Sequence, residues 1–235
     1  ARVSIPAAFM VSGFSSPFRM ALRAVILLVG LLALPGLLLA DLFPAAASEA
    51  RENPRILVMG DSISAGYGIQ REEGWVELLS KSLNQAEYPH VVVNGSISGE
   101  TTGGGLARLP QALDTHEPEI VVIELGGNDG LRGYPTDLVR SNLREMVQLS
   151  LAQNAKVLLV GMQIPPNYGP RYTAAFFSMY EEVASETGVP LLPFFLEKVA
   201  LEPGLMQSDG IHPTAEAQPL LLETLWDYLV PLLES

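Results

Sequence analysis

The sequence predicts a three-layer α/β/α sandwich around a five-stranded parallel sheet of strand order 2-1-3-4-5. Short apolar, β-rich runs recur at 55–59 (RILVM), 90–94 (HVVVN), 119–125 (EIVVIEL) and 156–162 (KVLLVGM), with a weaker one at 189–192 (VPLL). Each is followed by a stretch of helical periodicity. Strands apolar on both faces that alternate with amphipathic helices need a parallel sheet covered on two sides. Right-handed crossovers then lead to the order 2-1-3-4-5, with a site expected beyond the carboxyl ends of the strands, near the switch between strands 1 and 3.

The elements follow in order. Trp75, Leu78, Leu79 and Leu83 fall at i, i+3, i+4 and i+8, one face of a helix. The segment 103–115 is expected to be helical with a restart at Pro110, because an interior proline removes a hydrogen bond and crowds the preceding turn. Leu138, Leu143, Met146, Val147 and Leu151 suggest a further apolar stripe, on a helix opening near Pro135. Further helices are expected at 172–187 and at 214–233, the latter broken or restarted near Pro219. No internal repeat, low-complexity tract or second domain is visible.

The 235 residues are thus an appendage, 1–47, and one domain, 48–235. Arg19 and Arg23 precede an uncharged run from Ala24 to Ala40, and Ala45-Ala46-Ala47 offers small residues for a signal peptidase. This is the layout of a secretory leader, and it places the mature protein across the inner membrane, in the periplasm. The alternative is an uncleaved membrane anchor, although the 17-residue run is shorter than the ~20 residues of a comfortable span. Residues 1–19 precede a candidate start at Met20 and show no periodicity.

Composition narrows the function classes. The formal net charge is −12; residues 1–47 hold three arginines and one aspartate, so the remainder carries 11 basic against 25 acidic residues, a charge of −14. A nucleic-acid binder would need a basic stripe to neutralise phosphates, and none is present. The absence of cysteine excludes disulfides, thiolate metal sites and cysteine nucleophiles. Imidazole chemistry has three places to reside: His90, His116 and His212.

Four polar, glycine-rich turns follow the strands: Gly60-Asp61-Ser62-Ile63-Ser64-Ala65-Gly66, Ser96-Ile97-Ser98-Gly99-Glu100-Thr101, Gly126-Gly127-Asn128-Asp129-Gly130 and Ser208-Asp209-Gly210-Ile211-His212-Pro213. All belong at one end of the sheet. A nucleophilic hydrolase needs a hydroxyl, an imidazole to take its proton, a carboxylate to hold the imidazole tautomer, and donors for the oxyanion. Ser62 suits the nucleophile, His212 the base and Asp209 its orienter. The backbone N–H groups of Ser62 and Gly99 and the Asn128 amide can serve the oxyanion. His90 begins a strand and His116 lies on a polar connection before strand 3, so only His212 shares a strand-end turn with a carboxylate.

These blocks resemble the SGNH or GDSL hydrolases, whose four initials correspond to Ser62, Gly99, Asn128 and His212. The resemblance spans roughly residues 54–232. It is nearest to the bacterial secreted multifunctional group of acyl-CoA thioesterases, arylesterases and lysophospholipases, on the strength of GDSISAGYG, SISGETT, GLARLP, ELGGNDGLRG, LPFF and DGIHP. It implies a flavodoxin-like sandwich, ester or thioester hydrolysis through an acyl-enzyme, and no metal or organic cofactor. The substrate expected is a small acyl ester or thioester, with lysophospholipid included, acted on by a monomer whose mature form is not embedded in a membrane.

Neighbouring residues have plainer expected roles. Asp61 is expected to brace its turn, Asp129 to brace a loop or a helix start, and Ser64, Ser96 and Ser98 to form turns. The loop from Gln163 to Pro170 combines apolar side chains with stiff and permissive backbone, and loops at this sheet end carry binding. The resemblance implies that it borders an acyl pocket, which makes Ile164, Pro165 and Pro166 candidate substrate-binding residues; a plain proline-rich connection is the alternative. Phe194 and Phe195 are expected to divide between that pocket and the core.

Three rival functions fit the sequence less well. A phosphate or nucleotide binder would use glycine-rich turns too, but GDSISAGYG lacks a P-loop pattern and a nearby lysine. A metal phosphoesterase would need more ligands at suitable spacing than Asp61, Asp129, Asp209 and His212. A carbohydrate O-acetylesterase of the same fold is the nearest alternative.

Overall fold

The computed structural model describes residues 53–235. The leader expected at 1–47, and the domain boundary at 48, lie outside the described residues. Strand β1 (Arg55–Gly60) is buried from Ile56 onward and runs into the single turn α1 (Ser62–Ala65), followed by α2 (Trp75–Gln85). The described elements continue as β2 (Val91–Asn94), α3 (Thr102–His116), β3 (Ile120–Glu124), α4 (Gly127–Leu131), α5 (Thr136–Ala152), β4 (Lys156–Val160), α6 (Pro170–Thr187), β5 (Leu191–Leu192) and α7 (Gln218–Leu233).

The strands pair in the order β2-β1-β3-β4-β5, all parallel, with Leu57 opposite Val93 on one side and Val121 on the other. Helix α2 packs with α7, while α5 packs between α3 and α6, so the sheet is covered on both faces as expected. Strand β3, at the centre, is buried at every residue. Strand β2 lies at the sheet edge, as the expected order requires, and departs from the expectation in burial alone: it is partly exposed, with Val91 open to solvent. An edge strand has only one neighbour, and here its short, charge-free run is half covered.

Helix α3 also departs from the expectation, running through Pro110 without restarting. Pro110 lies on the exposed side, where the Leu106 carbonyl left without its donor can be solvated, while Leu109 and Leu113 pack into the core on the other side. The same helix ends at His116, which is therefore its last residue, not part of a connection. On α5 the buried stripe is Val139, Leu143, Met146, Val147 and Ser150, and Leu138 and Leu151 are exposed. At ~100° per residue Leu138 stands about 140° round the helix from Leu143, too far to share its face. Helix α7 starts at Gln218 after a 3₁₀ turn, Ala215–Ala217, with Pro219 in its first turn, where the missing N–H costs nothing.

The core is continuous across the sheet. Trp75 is fully buried against Phe195, ring centroids 5.4 Å apart in an edge-to-face arrangement. Among the described residues no helix is long and apolar enough to cross a membrane.

Candidate active site

The turn that carries the candidate nucleophile is built by caps. Asp61 precedes α1 and accepts the Ile63 N–H on Oδ1 at 3.0 Å, and Gly66, with φ of 72°, closes the turn by donating to the Ser62 carbonyl. This places Ser62 at the start of a helical turn beyond the end of β1. Gly60 must lack a side chain, because a Cβ there would stand 2.6 Å from Ser64 Oγ.

Ser62 Oγ lies 2.9 Å from His212 Nε2, and His212 Nδ1 lies 2.6 Å from Asp209 Oδ2. The three residues are 147 and 150 positions apart along the chain, measured from Ser62, and meet because the last loop returns over the end of β1. Asp209 Oδ1 also accepts the N–H groups of Ile211 and His212, at 2.9 and 3.0 Å. The bond from His212, with these two backbone donors, holds the Asp209 carboxyl down at about 2. It is therefore an anion at neutral pH, which keeps a proton on Nδ1 and turns the lone pair of Nε2 toward the serine.

The histidine loop is held by residues that sequence reasoning did not single out. The Tyr67 ring lies against the imidazole at 4.5 Å between centroids. Gln207 donates its side-chain amide to the carbonyls of Tyr67 and Pro213, at 2.8 and 3.0 Å, and its backbone N–H to that of His212 at 2.7 Å. Tyr67 stands within the GYG of the first block, whereas no local signal distinguishes Gln207. The other two histidines are elsewhere: His90 is buried just before β2, its Nε2 3.8 Å from Glu119, and the backbone carbonyl of His116 accepts from Arg55 at 3.0 Å.

Asn128 sits in the first turn of α4, after Gly126, whose φ of 119° and close approach to Tyr180 Oη exclude a side chain. Its amide donates to Asp61 Oδ2 at 3.0 Å, and the second hydrogen on that nitrogen is left for another acceptor. Gly99 takes a φ of 80° in a loop stitched to the end of β1 by the Ile97 N–H to the Gly60 carbonyl, and Arg132 donates to the Gly99 carbonyl at 3.2 Å. Ser62, Gly99 and Asn128 thus stand on three strand-end turns that hydrogen bonds tie together.

Asp61 is buried, and that burial, opposed by the Ile63 and Asn128 donors and the nearby His212, raises its carboxyl to about 6. It braces the turn as expected, and Asp129 braces a helix start, accepting the N–H and the hydroxyl of Thr102 at 2.8 and 2.7 Å. Among the described residues no three His, Asp or Glu side chains gather at metal-ligand spacing.

A cavity of about 350 Å³ opens beside the turns, walled by Leu131, Ile164, Pro165, Pro166, Phe194 and Leu201 and bounded by Gly127, Gly210 and Ile211, chain neighbours of Asn128, Asp209 and His212. All three loop residues singled out from the sequence reach it. Phe194 lines it while Phe195 is in the core, so the pair divides between the two.

The description GDSL-like Lipase/Acylhydrolase family matches residues 58–219. The chain belongs to that family. It is 55% identical over 178 residues to Esterase TesA of Pseudomonas aeruginosa, covering 76% of this chain and 89% of that one. It is 45% identical over 190 residues to Thioesterase 1/protease 1/lysophospholipase L1 of Escherichia coli K12, covering 81% and 88%. Among solved structures it is similar to the psychrotrophic esterase EstA from Pseudoalteromonas sp. inhibited by monoethylphosphonate, with a TM-score of 0.74 at 44% identity over 77% of this chain and 99% of that one. This family member is a serine ester hydrolase.

Proposed function

We propose that the protein hydrolyses acyl esters and thioesters, lysophospholipids among them, through an acyl-enzyme on Ser62. The observation that carries this reading is the chain of hydrogen bonds from Asp209 through His212 to Ser62, set beside an apolar cavity. Ser62 Oγ attacks the carbonyl carbon while His212 Nε2 takes its proton. The negative charge that develops on the carbonyl oxygen is met by the N–H groups of Ser62 and Gly99 and the Asn128 amide. His212 then returns the proton to the leaving alcohol or thiol, and water, activated by the same imidazole, releases the acid. Asp209 orients the ring and offsets its positive charge without itself taking the proton.

Asn128→Ala is expected to lower kcat by roughly 10²–10³ with a modest change in KM, since one oxyanion donor is lost only where charge develops. Steady-state kinetics on p-nitrophenyl acetate check this; a change confined to KM would move Asn128 into ground-state binding.

The cavity lining favours an acyl chain over a sugar ring, which sets this reading ahead of a carbohydrate O-acetylesterase. Each buried methylene is worth about 0.8 kcal/mol, so four more in the cavity amount to ~3 kcal/mol, roughly a hundredfold in kcat/KM. Ile164→Ala and Pro165→Gly are expected to flatten the dependence on chain length while short esters react nearly as before. The test is kcat/KM for p-nitrophenyl and CoA esters of increasing length, run beside acetylated sugars. An equal loss on every ester would make the loop a support for the catalytic groups, and a preference for acetylated sugars would favour the rival substrate.

We also read residues 1–47 as an export leader, on Arg19, Arg23 and the apolar run that follows. N-terminal sequencing of the protein recovered from the periplasm checks it: a chain beginning near Ala47 is expected, and an intact leader in the membrane fraction would favour the anchor.

A further inference from the structure

The last residue of β3, Glu124, is a fully buried carboxyl among apolar strand residues. In the sheet it stands opposite Gly60, whose missing side chain leaves the slot through which the carboxyl reaches the nucleophile turn. Its Oε2 accepts the Ser64 hydroxyl at 2.6 Å and faces the Asp61 N–H at 3.4 Å, while Oε1 has no hydrogen-bond partner among the described residues. The residues so engaged lie immediately before Ser62 and two after it. Asp61 in turn accepts from the Asn128 amide at 3.0 Å. A residue that merely filled this space would have no need of a polar group, because burying one carries a cost that only its hydrogen bonds offset.

We propose that Glu124 is a positioning residue for hydrolysis: from beneath the nucleophile turn it holds the Asp61 peptide and Ser64, and through Asp61 it sets the placement of Ser62 and of the Asn128 amide. This rests on the reading of Ser62 as nucleophile and Asn128 as oxyanion donor. The ionisable groups that face the carboxyl are Asp61 on the nucleophile turn and Tyr180 on α6, with Asp129 on α4 and His212 beyond them. Burial, and then the like charge of Asp61, hold Glu124 well above the usual carboxylate range. Burial thus favours the neutral acid, whose grip depends on an acceptor oxygen rather than on charge.

Two near-isosteric variants separate acceptor from filler. Glu124→Gln keeps a carbonyl oxygen for Ser64 and Asp61, and Glu124→Met keeps only the volume. On p-nitrophenyl acetate, Glu124→Met is expected to lower kcat by about 10–100-fold with KM within about threefold, since small misplacements of reacting groups have effects of this size. Glu124→Gln is expected to restore kcat to within about fivefold of the parent, and to leave the acid limb of the kcat/KM profile where it was. A folded Glu124→Met with parental kcat overturns the proposal, as does a Glu124→Gln as slow as Glu124→Met. A displaced acid limb in Glu124→Gln also overturns it, because the charge or proton of the carboxyl would then be in use. If Glu124→Met does not fold, Ser64→Ala decides: a several-fold fall in kcat at unchanged KM is expected, and parental kcat overturns the proposal. Fluorophosphonate labelling of the parent keeps the two readings apart, since an adduct away from Ser62 would remove the underlying assignment, whereas an adduct on Ser62 leaves any failure with Glu124 alone.

Discussion

Ser62→Ala is expected to lower kcat by roughly 10⁴–10⁶ while the protein folds as before, the loss seen when a nucleophile is removed and only the oxyanion donors and binding remain. Ser62 Oγ carries no structural duty: among the described residues its one side-chain hydrogen bond is to His212 Nε2, at 2.9 Å. The turn is held instead by Asp61, Gly66 and Ser64, so the methyl of alanine leaves the backbone in place. Circular dichroism and thermal unfolding of the variant should match the parent, and KM for p-nitrophenyl acetate should change little. A variant with most of its activity would mean that another group attacks the ester.

Asp209→Asn is expected to lower kcat by about 10⁴ with the shape of the site retained, through the tautomer and not through packing. Asp209 Oδ1 receives two backbone N–H groups, so the amide oxygen of asparagine stays on that side and its NH₂ is turned toward His212 Nδ1. An NH₂ cannot accept, so the imidazole proton moves to Nε2 and points at Ser62, where a lone pair is required. The loss should appear in kcat with KM nearly constant. In the parent, the carboxyl held at about 2 keeps this acceptor ionised through the acid range. Stability that the Asp209 anion supplies is therefore present above the ordinary carboxylate pKa and is lost only as pH falls through about 2. Thermal unfolding followed down to that pH in parent and Asp209→Asn checks the sign: the gap between the two should close in strong acid, not near neutrality.

The layers of the fold were legible because strands buried on both faces leave long apolar runs, and β1, β3 and β4 are such strands. What misled was local. Leu138 has the right residue type but the wrong angle on α5, Leu151 is exposed one residue before that helix ends, and Pro110 is tolerated in α3 because it lies on the exposed side, a matter of tertiary placement. The site was legible for a different reason. Its chemistry-bearing side chains sit in glycine-rich turns at one end of a parallel sheet, and the structure brings Ser62, Asp209 and His212 into a continuous chain of hydrogen bonds. Glu124 was not legible in that way, since in EIVVIEL it is one letter in an apolar run; the signal that could have found it is a carboxyl where both strand faces are to be buried. Tyr67 meets His212 and Gln207 from a segment 140 residues away from Gln207, and contacts between distant segments leave no periodic trace.

Hydrolysis as proposed requires Ser62 Oγ to be the atom that takes the acyl group. Mass spectrometry of the protein treated with a fluorophosphonate tests this most directly, because the reagent is captured by an activated serine in the arrangement of a tetrahedral intermediate. The expected result is one adduct per chain, located on Ser62, absent in Ser62→Ala and slowed strongly in Asp209→Asn. An adduct on another residue, or an unmodified Ser62 in a protein that still hydrolyses esters, would contradict it.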